Sequence, residues 1–310
     1  MQLCLDSIAH LKWGIMHIRA GYRLVFETPT ATPLIAMLNL HPSRYANLVT
    51  PHRLCTGPSL QRTDYLDAFG NVCTRMIIPP GGATLSCDFT IWDSGDPDPQ
   101  HDAEQHPVER LPADVLPYLL GSRYCDTDRL VQTAWSLFGS VAPGRARVRA
   151  IVDFVHSHLT YGYCYARPTR TAFEAYQERV GVCRDFAHLA VALCRCMNIP
   201  ARYCSGYLGD IGIPPVDMPM DFHAWFEVYL GGEWHAYDAR HRVPRIGRTL
   251  MAAGRDAADT ALTTAFGAAR LTCFQVHTDE LTEPASQLAS HLPAGKAVGH
   301  GVSSPALAAA

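Results

Sequence analysis

The chain has 310 residues, of which 48% are hydrophobic and 18% charged, enough for a buried core and for about two domains. A formal net charge of -3 gives no broad basic field to hold nucleic acid or an anionic membrane surface, so a small molecule, peptide or protein is the expected partner. Eleven cysteines, odd in number and without close regular spacing, read as reduced thiols in the cytoplasm and not as a disulfide framework.

Residues 1–15 read as an extension of uncertain status, broken by Asp6 and Lys12 and therefore unlike a secretory signal. No later run reaches membrane-spanning length. From 16 onward, segments rich in β-branched and aromatic residues, such as 17–26 and 34–40, alternate with Pro, Gly and Asn, and 67–71 reads as a hairpin turn. This predicts a β-sandwich-like domain that ends in a linker at 93–107. A mixed domain over 108–284 follows, with helices expected at 128–138, 148–159, 171–179 and 183–197. Asn198, Ile199 and Pro200 stop the last helix, and strands are expected at 201–207, 221–230 and 233–240. The tail over 285–310, rich in Ala, Ser, Gly, Pro and His, is expected to be disordered.

Cys183 opens the last helix, where unpaired N–H groups and the positive dipole end favour thiolate over thiol and can hold an oxyanion. Gly181 leaves room for a substrate backbone near the sulfur. A lone cysteine in such a place is usually a small buried hydrophobe, so partners are needed. If Gly231-Gly232 is a two-residue turn, His223, Trp225, Asp238 and Arg240 share one face of the hairpin, and Ala224, Phe226, Val228 and Leu230 face a core. His223 and Asp238 are then diagonal neighbours, a base and its orienter. A thiolate–imidazolium pair of this kind predicts a bell-shaped pH profile.

The stretches Arg179-Val180-Gly181-Val182-Cys183-Arg184-Asp185-Phe186-Ala187-His188, Asn198-Ile199-Pro200-Ala201-Arg202-Tyr203, Phe222-His223-Ala224-Trp225 and Trp234-His235-Ala236-Tyr237-Asp238 closely resemble bacterial transglutaminase-like proteins. The resemblance covers about residues 108–280, and the preceding β-rich stretch resembles the domain that accompanies this core in bacterial members. It implies an α+β papain-like core with Cys183, His223 and Asp238 in the triad positions. It further implies a thioester on the cysteine, resolved by an amine or by water. A further oxyanion donor upstream of the nucleophile is common in the family, and Tyr161 and Gln177 are the candidates. Trp225 and Arg240 join them as candidate substrate contacts from the shared face. No acidic loop resembles the calcium sites of animal transglutaminases, so neither metal nor other cofactor is expected.

Cys194 and Cys196 point in different directions on a helix and read as packing. His188 reads as a structural histidine, and Asp185 as a first-turn charge that favours the helix. His235, Asp238 and His241 suggest zinc only weakly, because a strand sends 235 and 238 to opposite faces. The charged segment Arg255-Asp256-Ala257-Ala258-Asp259 has no purpose legible in its spacing. The rival from another class is an idle scaffold that keeps the fold for binding.

Overall fold

The computed structural model describes residues 16–99, 102–216 and 219–281; the extension at 1–15 and the tail at 285–310 lie outside them. Six strands come first: β1 (Met16–Glu27), β2 (Thr32–Ala36), β3 (Cys55–Gly57), β4 (Arg62–Leu66), β5 (Val72–Ile78) and β6 (Ala83–Asp93). Helices α1 (Thr127–Phe138) and α2 (Arg145–His158) follow, then β7 (Thr160–Tyr161), α3 (Ala172–Glu178), β8 (Val180–Gly181) and α4 (Cys183–Cys196). The chain continues with β9 (Ala201–Tyr207), β10 (His223–Leu230), β11 (Glu233–Tyr237), β12 (Thr249–Gly254), β13 (Thr263–Ala265) and β14 (Arg270–Leu281).

The alternation along β1 puts Ile18, Ala20, Tyr22, Leu24 and Phe26 into one core, shared with Leu34, Ala36, Met76, Ile78, Leu85 and Phe89. Two four-stranded sheets enclose it, ordered β14-β1-β6-β3 and β13-β2-β5-β4. The expected hairpin at 67–71 joins β4 to β5, with Asp67 accepting from the backbone N–H groups of Phe69 and Asn71. The expected boundary at 108 does not separate two units cleanly. β13 and β14, placed by the sequence reading within the second domain, sit in the sheets of the first, because β14 pairs with β1 from His17↔Leu281 to Glu27↔Arg270.

The second half is a helix-and-sheet layer. α4 has a buried residue at every position, with β9 and β10 on one side and α1, α2 and α3 on the others. Its sequence is free of Gly and Pro, with Val191 its one β-branched residue, which suits a helix buried all round, its Arg184, Asp185 and Arg195 being paired or hydrogen-bonded. Asn198 takes the left-handed conformation (φ 59°) that ends it, as expected. The sheet order is β11-β10-β9-β12.

The edge of β12 is covered from the β-rich half. Asn71, fully buried, donates to Ala253 O at 2.9 Å and accepts from Ala253 N–H at 2.9 Å, while His41 N–H donates to Leu250 O at 3.1 Å. Asn71→Ala strands both groups of Ala253 without partners. At about 1–3 kcal/mol for each buried unsatisfied group, the urea midpoint is expected to fall by the equivalent of roughly 2–6 kcal/mol. An unchanged midpoint contradicts this bridging role.

Candidate active site

The nucleophile candidate is fixed from beneath. Asp185, buried in the first turn of α4, accepts from Val182 N–H at 2.9 Å and from Arg170 at 3.0 Å. This agrees with the structural role read from the sequence. A Cβ on Gly181 would meet the Asp185 Cβ at 2.6 Å, so that glycine makes room for Asp185 and not for a substrate. β8 lies parallel to β7, which brings Tyr161 alongside the lead-in to Cys183.

The candidate base arrives on β10, where Leu230 pairs with Glu233 as the turn predicted. Phe226, Val228 and Leu230 pack into the helical core, and Ala224 packs beside Cys183. β11 stops at Tyr237, three residues short of expectation, so Asp238 and Arg240 lie beyond the ladder and not opposite Trp225 and His223. The chain turns there because Asp238 Oδ1 accepts the backbone N–H groups of Arg240 and His241, both at 3.0 Å. Its other oxygen, Oδ2, accepts from His223 Nε2 at 2.6 Å and His241 Nδ1 at 2.9 Å. A carboxylate can only accept, so the proton of His223 sits on Nε2 and Nδ1 is the free acceptor.

Cys183, His223, Arg240 and His241 line one cleft, together with Tyr163 and Asp221. Burial pushes the Cys183 thiol up to about 11, against the pull of the Arg240 guanidinium and the Ala224 N–H. Burial likewise pushes His223 down to about 4, with the Asp238 charge opposing. Burial of the charge thus works against the thiolate expected at a helix start, favouring the Cys183 thiol and the neutral His223 imidazole. Burial raises the Asp238 carboxyl too, but His223 and His241 together hold it well below the ordinary carboxylate range.

The remaining expected residues divide. Arg240 is brought in, its guanidinium 3.8 Å from the centre of the Tyr161 ring, and its charge acts on both Cys183 and Asp221. Tyr161 is therefore at the site's margin, half-buried. Gln177 is exposed on α3 and does not line the cleft. Trp225 is 1% exposed; its ring lies nearly parallel to His223 (centroids 6.5 Å apart, 13°) and carries Arg248 on its face at 4.7 Å. It braces the histidine from behind and is not a cleft residue.

Three groups were not foreseen in these positions. Arg248 lies 3.8 Å from Asp238 and pairs with Asp98 at 2.9 Å, so a residue assigned to a linker helps neutralise the site. The two are 150 positions apart, and no local pattern announces their meeting. The sequence offers His241 only as a weak zinc ligand, and the signal for its bond to Asp238 is its place three residues on. Asp221 lies two residues ahead of His223 and went unremarked.

His235 bonds to Leu230 O at 3.1 Å within its own hairpin. Ligand atoms of His223, Asp238 and His241 do lie within 4.8 Å of one another, and both histidines are bonded to Asp238 Oδ2. His188 accepts from Ala257 N–H at 3.1 Å and stacks on Tyr124, while Asp256 accepts from Tyr124 N–H at 2.8 Å and Arg255 pairs with Asp259 at 2.8 Å. The 255–259 segment thus fastens β12 to the underside of α4. Cys194 and Cys196 are free and buried in the helical core.

Among the described residues, no helix is long and apolar enough to cross a membrane. Residues 132–239 match the family described as the transglutaminase-like superfamily. An uncharacterized protein of Mycobacterium leprae is 36% identical over 120 residues, 38% of this chain and 43% of its own length. One of Mycobacterium tuberculosis is 27% identical over 194 residues, 57% of this chain and 62% of its own. Less than two thirds of either relative is therefore spanned. A crystal structure from Cytophaga hutchinsonii, provisionally described as a cysteine protease, superposes with a TM-score of 0.75 at 28% identity, covering 95% of this chain and 96% of that one. With a buried cysteine at the head of the central helix and an Asp-held histidine on the facing strand, residues 132–239 carry the core of the transglutaminase-like superfamily, whose fold supports cysteine-dependent chemistry.

Proposed function

We propose that the protein is a thiol-dependent acyltransferase or amidase acting on a peptide-like or glutamine-like amide. Cys183 is the nucleophile, His223 the base and Asp238 the group that holds His223. In this reading the His223 Nδ1 takes the thiol proton as sulfur attacks the carbonyl, and returns it to the departing amine as the C–N bond breaks. The thioester so formed is resolved by an amine, giving a new amide, or by water, giving an acid. The Cys183 and Arg184 N–H groups at the head of α4, ahead of those of Asp185 and Phe186 that bond to Val182 O, are the donors for the oxyanion, with Tyr161 beside them. The nucleophile must be reduced, which agrees with the free cysteines and with a cytoplasmic setting.

The observation that carries this reading is the His223–Asp238 bond of 2.6 Å, in a cleft that Cys183 shares. Native labelling with substoichiometric iodoacetamide, mapped by mass spectrometry, tests it. Cys183, 6% exposed, is expected to label ahead of the exposed Cys55 and Cys164, and to lose that lead in His223→Ala. Labelling in simple order of exposure would instead make the chain a binding scaffold. Because burial favours a neutral His223 and a Cys183 thiol, the His223-dependent Cys183 rate is expected to stay level from pH 6 to 9; a rate that climbs about tenfold per pH unit and persists in His223→Ala would show a thiolate formed without the histidine.

A further inference from the structure

The cleft contains a carboxylate that the triad does not use. Asp221 precedes Phe222, whose ring is 2% exposed and packed against Tyr22, Tyr207 and Phe274, so the backbone at 221–222 is anchored in the core between the two halves of the molecule. The Asp221 side chain lines the same cleft as Cys183, and its Oδ1 is buried without a hydrogen-bond partner among the described residues. A buried acceptor left unpaired is costly, and a carboxylate more so. Arg240 favours the carboxylate only through its charge at a distance: its guanidinium lies over Tyr161 and forms no ion pair among the described residues. The other charged or titratable groups of the cleft are Asp210, Tyr163, His241 and Arg245, and none of them bonds to Asp221.

Resting on the acyl-transfer reading above, we propose that Asp221 receives the acyl acceptor, holding a primary ammonium beside Cys183 and so favouring an amine over water in the breakdown of the thioester. An ammonium offers three donors and a compensating charge, which meets both needs of the unpaired oxygen. Burial pushes the Asp221 carboxyl up to about 7, with the Phe222 N–H and Arg240 opposing, so it can also take a proton near neutrality. The step balances as follows. The ammonium gives one proton to Asp221, which later releases it to solvent, and the free amine attacks the thioester carbonyl. The C–S bond breaks, and the second proton of the nitrogen passes through His223 to the Cys183 sulfur, leaving an amide and a thiol.

The test uses 4-nitrophenyl acetate as acyl donor, with cadaverine as the cationic acceptor and hydroxylamine as the uncharged one at pH 7.5. Amide, hydroxamate and acetate all come from one acyl-enzyme, so their ratios do not depend on how fast it forms. Asp221→Asn is expected to lower the cadaverine-to-water ratio by about tenfold or more, relative to any change in the hydroxylamine-to-water ratio, and Asp221→Glu to retain most of the preference. In the unmodified protein, amide yield should saturate with cadaverine while hydroxamate rises linearly. An unchanged cadaverine ratio in Asp221→Asn, an equal fall with both acceptors, or no saturation in the unmodified protein each overturns the assignment. If Cys183→Ser releases nitrophenolate as fast as the unmodified protein, no thioester forms at Cys183 and the reading beneath it fails as well.

Discussion

His223→Ala is expected to slow acyl-enzyme formation by about 10²–10⁴-fold while the protein still folds. The size follows from the resting protonation. With burial pushing the Cys183 thiol up to about 11, the thiolate is a minor form at pH 7, so the proton must leave as the sulfur attacks. His223 is the acceptor on hand, since Asp238 occupies Nε2 and leaves Nδ1 open. Removing the ring leaves the Asp238 carboxylate bonded to His241 and to two backbone N–H groups, so the variant keeps its fold. Stopped-flow measurement of nitrophenolate release gives the rate. A loss below tenfold would show that the thiol ionises without this histidine and would sink the base assignment.

Asp238→Asn is expected to damage both rate and stability. An amide presents an N–H₂ where two imidazoles now donate, so His223 either loses its bond or turns over into the wrong tautomer, at a cost of about 10²–10⁴ in kcat. Breaking a buried ion pair by removing one member costs about 3–5 kcal/mol, and the buried Arg248 lies 3.8 Å from the altered group. The pH dependence has a definite sign. Burial holds the folded His223 near about 4, below its unfolded value of about 6.5, so stability is complete above 6.5 and falls as acid is added through that window. Asp238, also depressed, adds a further loss below about pH 4, its unfolded value. Urea midpoints from pH 7 to 3 should show both limbs in the unmodified protein, and Asp238→Asn should lack the lower one. Equal acid limbs in the two proteins contradict the carboxylate's role.

What the sequence revealed follows the range of the interactions involved. α4 was legible from its apolar run, its left-handed stop at Asn198 and its thiol at the head. The β10–β11 register was legible because a two-glycine turn fixes which residues face each other, and it brought His223 toward Asp238 before any coordinates. The charge state of the thiol was not legible, since a helix start predicts thiolate and only the depth of burial reverses it. The Asp98–Arg248 pair and the partnerless oxygen of Asp221 were out of reach for the same reason: both depend on segments distant in sequence closing over one cleft.

The pairing of β14 with β1 bears on how the protein is made. The 16–27 strand leaves the ribosome first and gains its full complement of neighbours only when 270–281 has been synthesised, some 250 residues later. Until then one edge of β1 is open, a template for pairing with another nascent chain. Excising the helix-and-sheet half as a free-standing catalytic piece would recreate that hazard permanently, on β14 as well as on β1. The β-rich half thus closes only with strands that follow the helix-and-sheet half in the chain, so moving that half onto another partner means carrying both ends of this closure along.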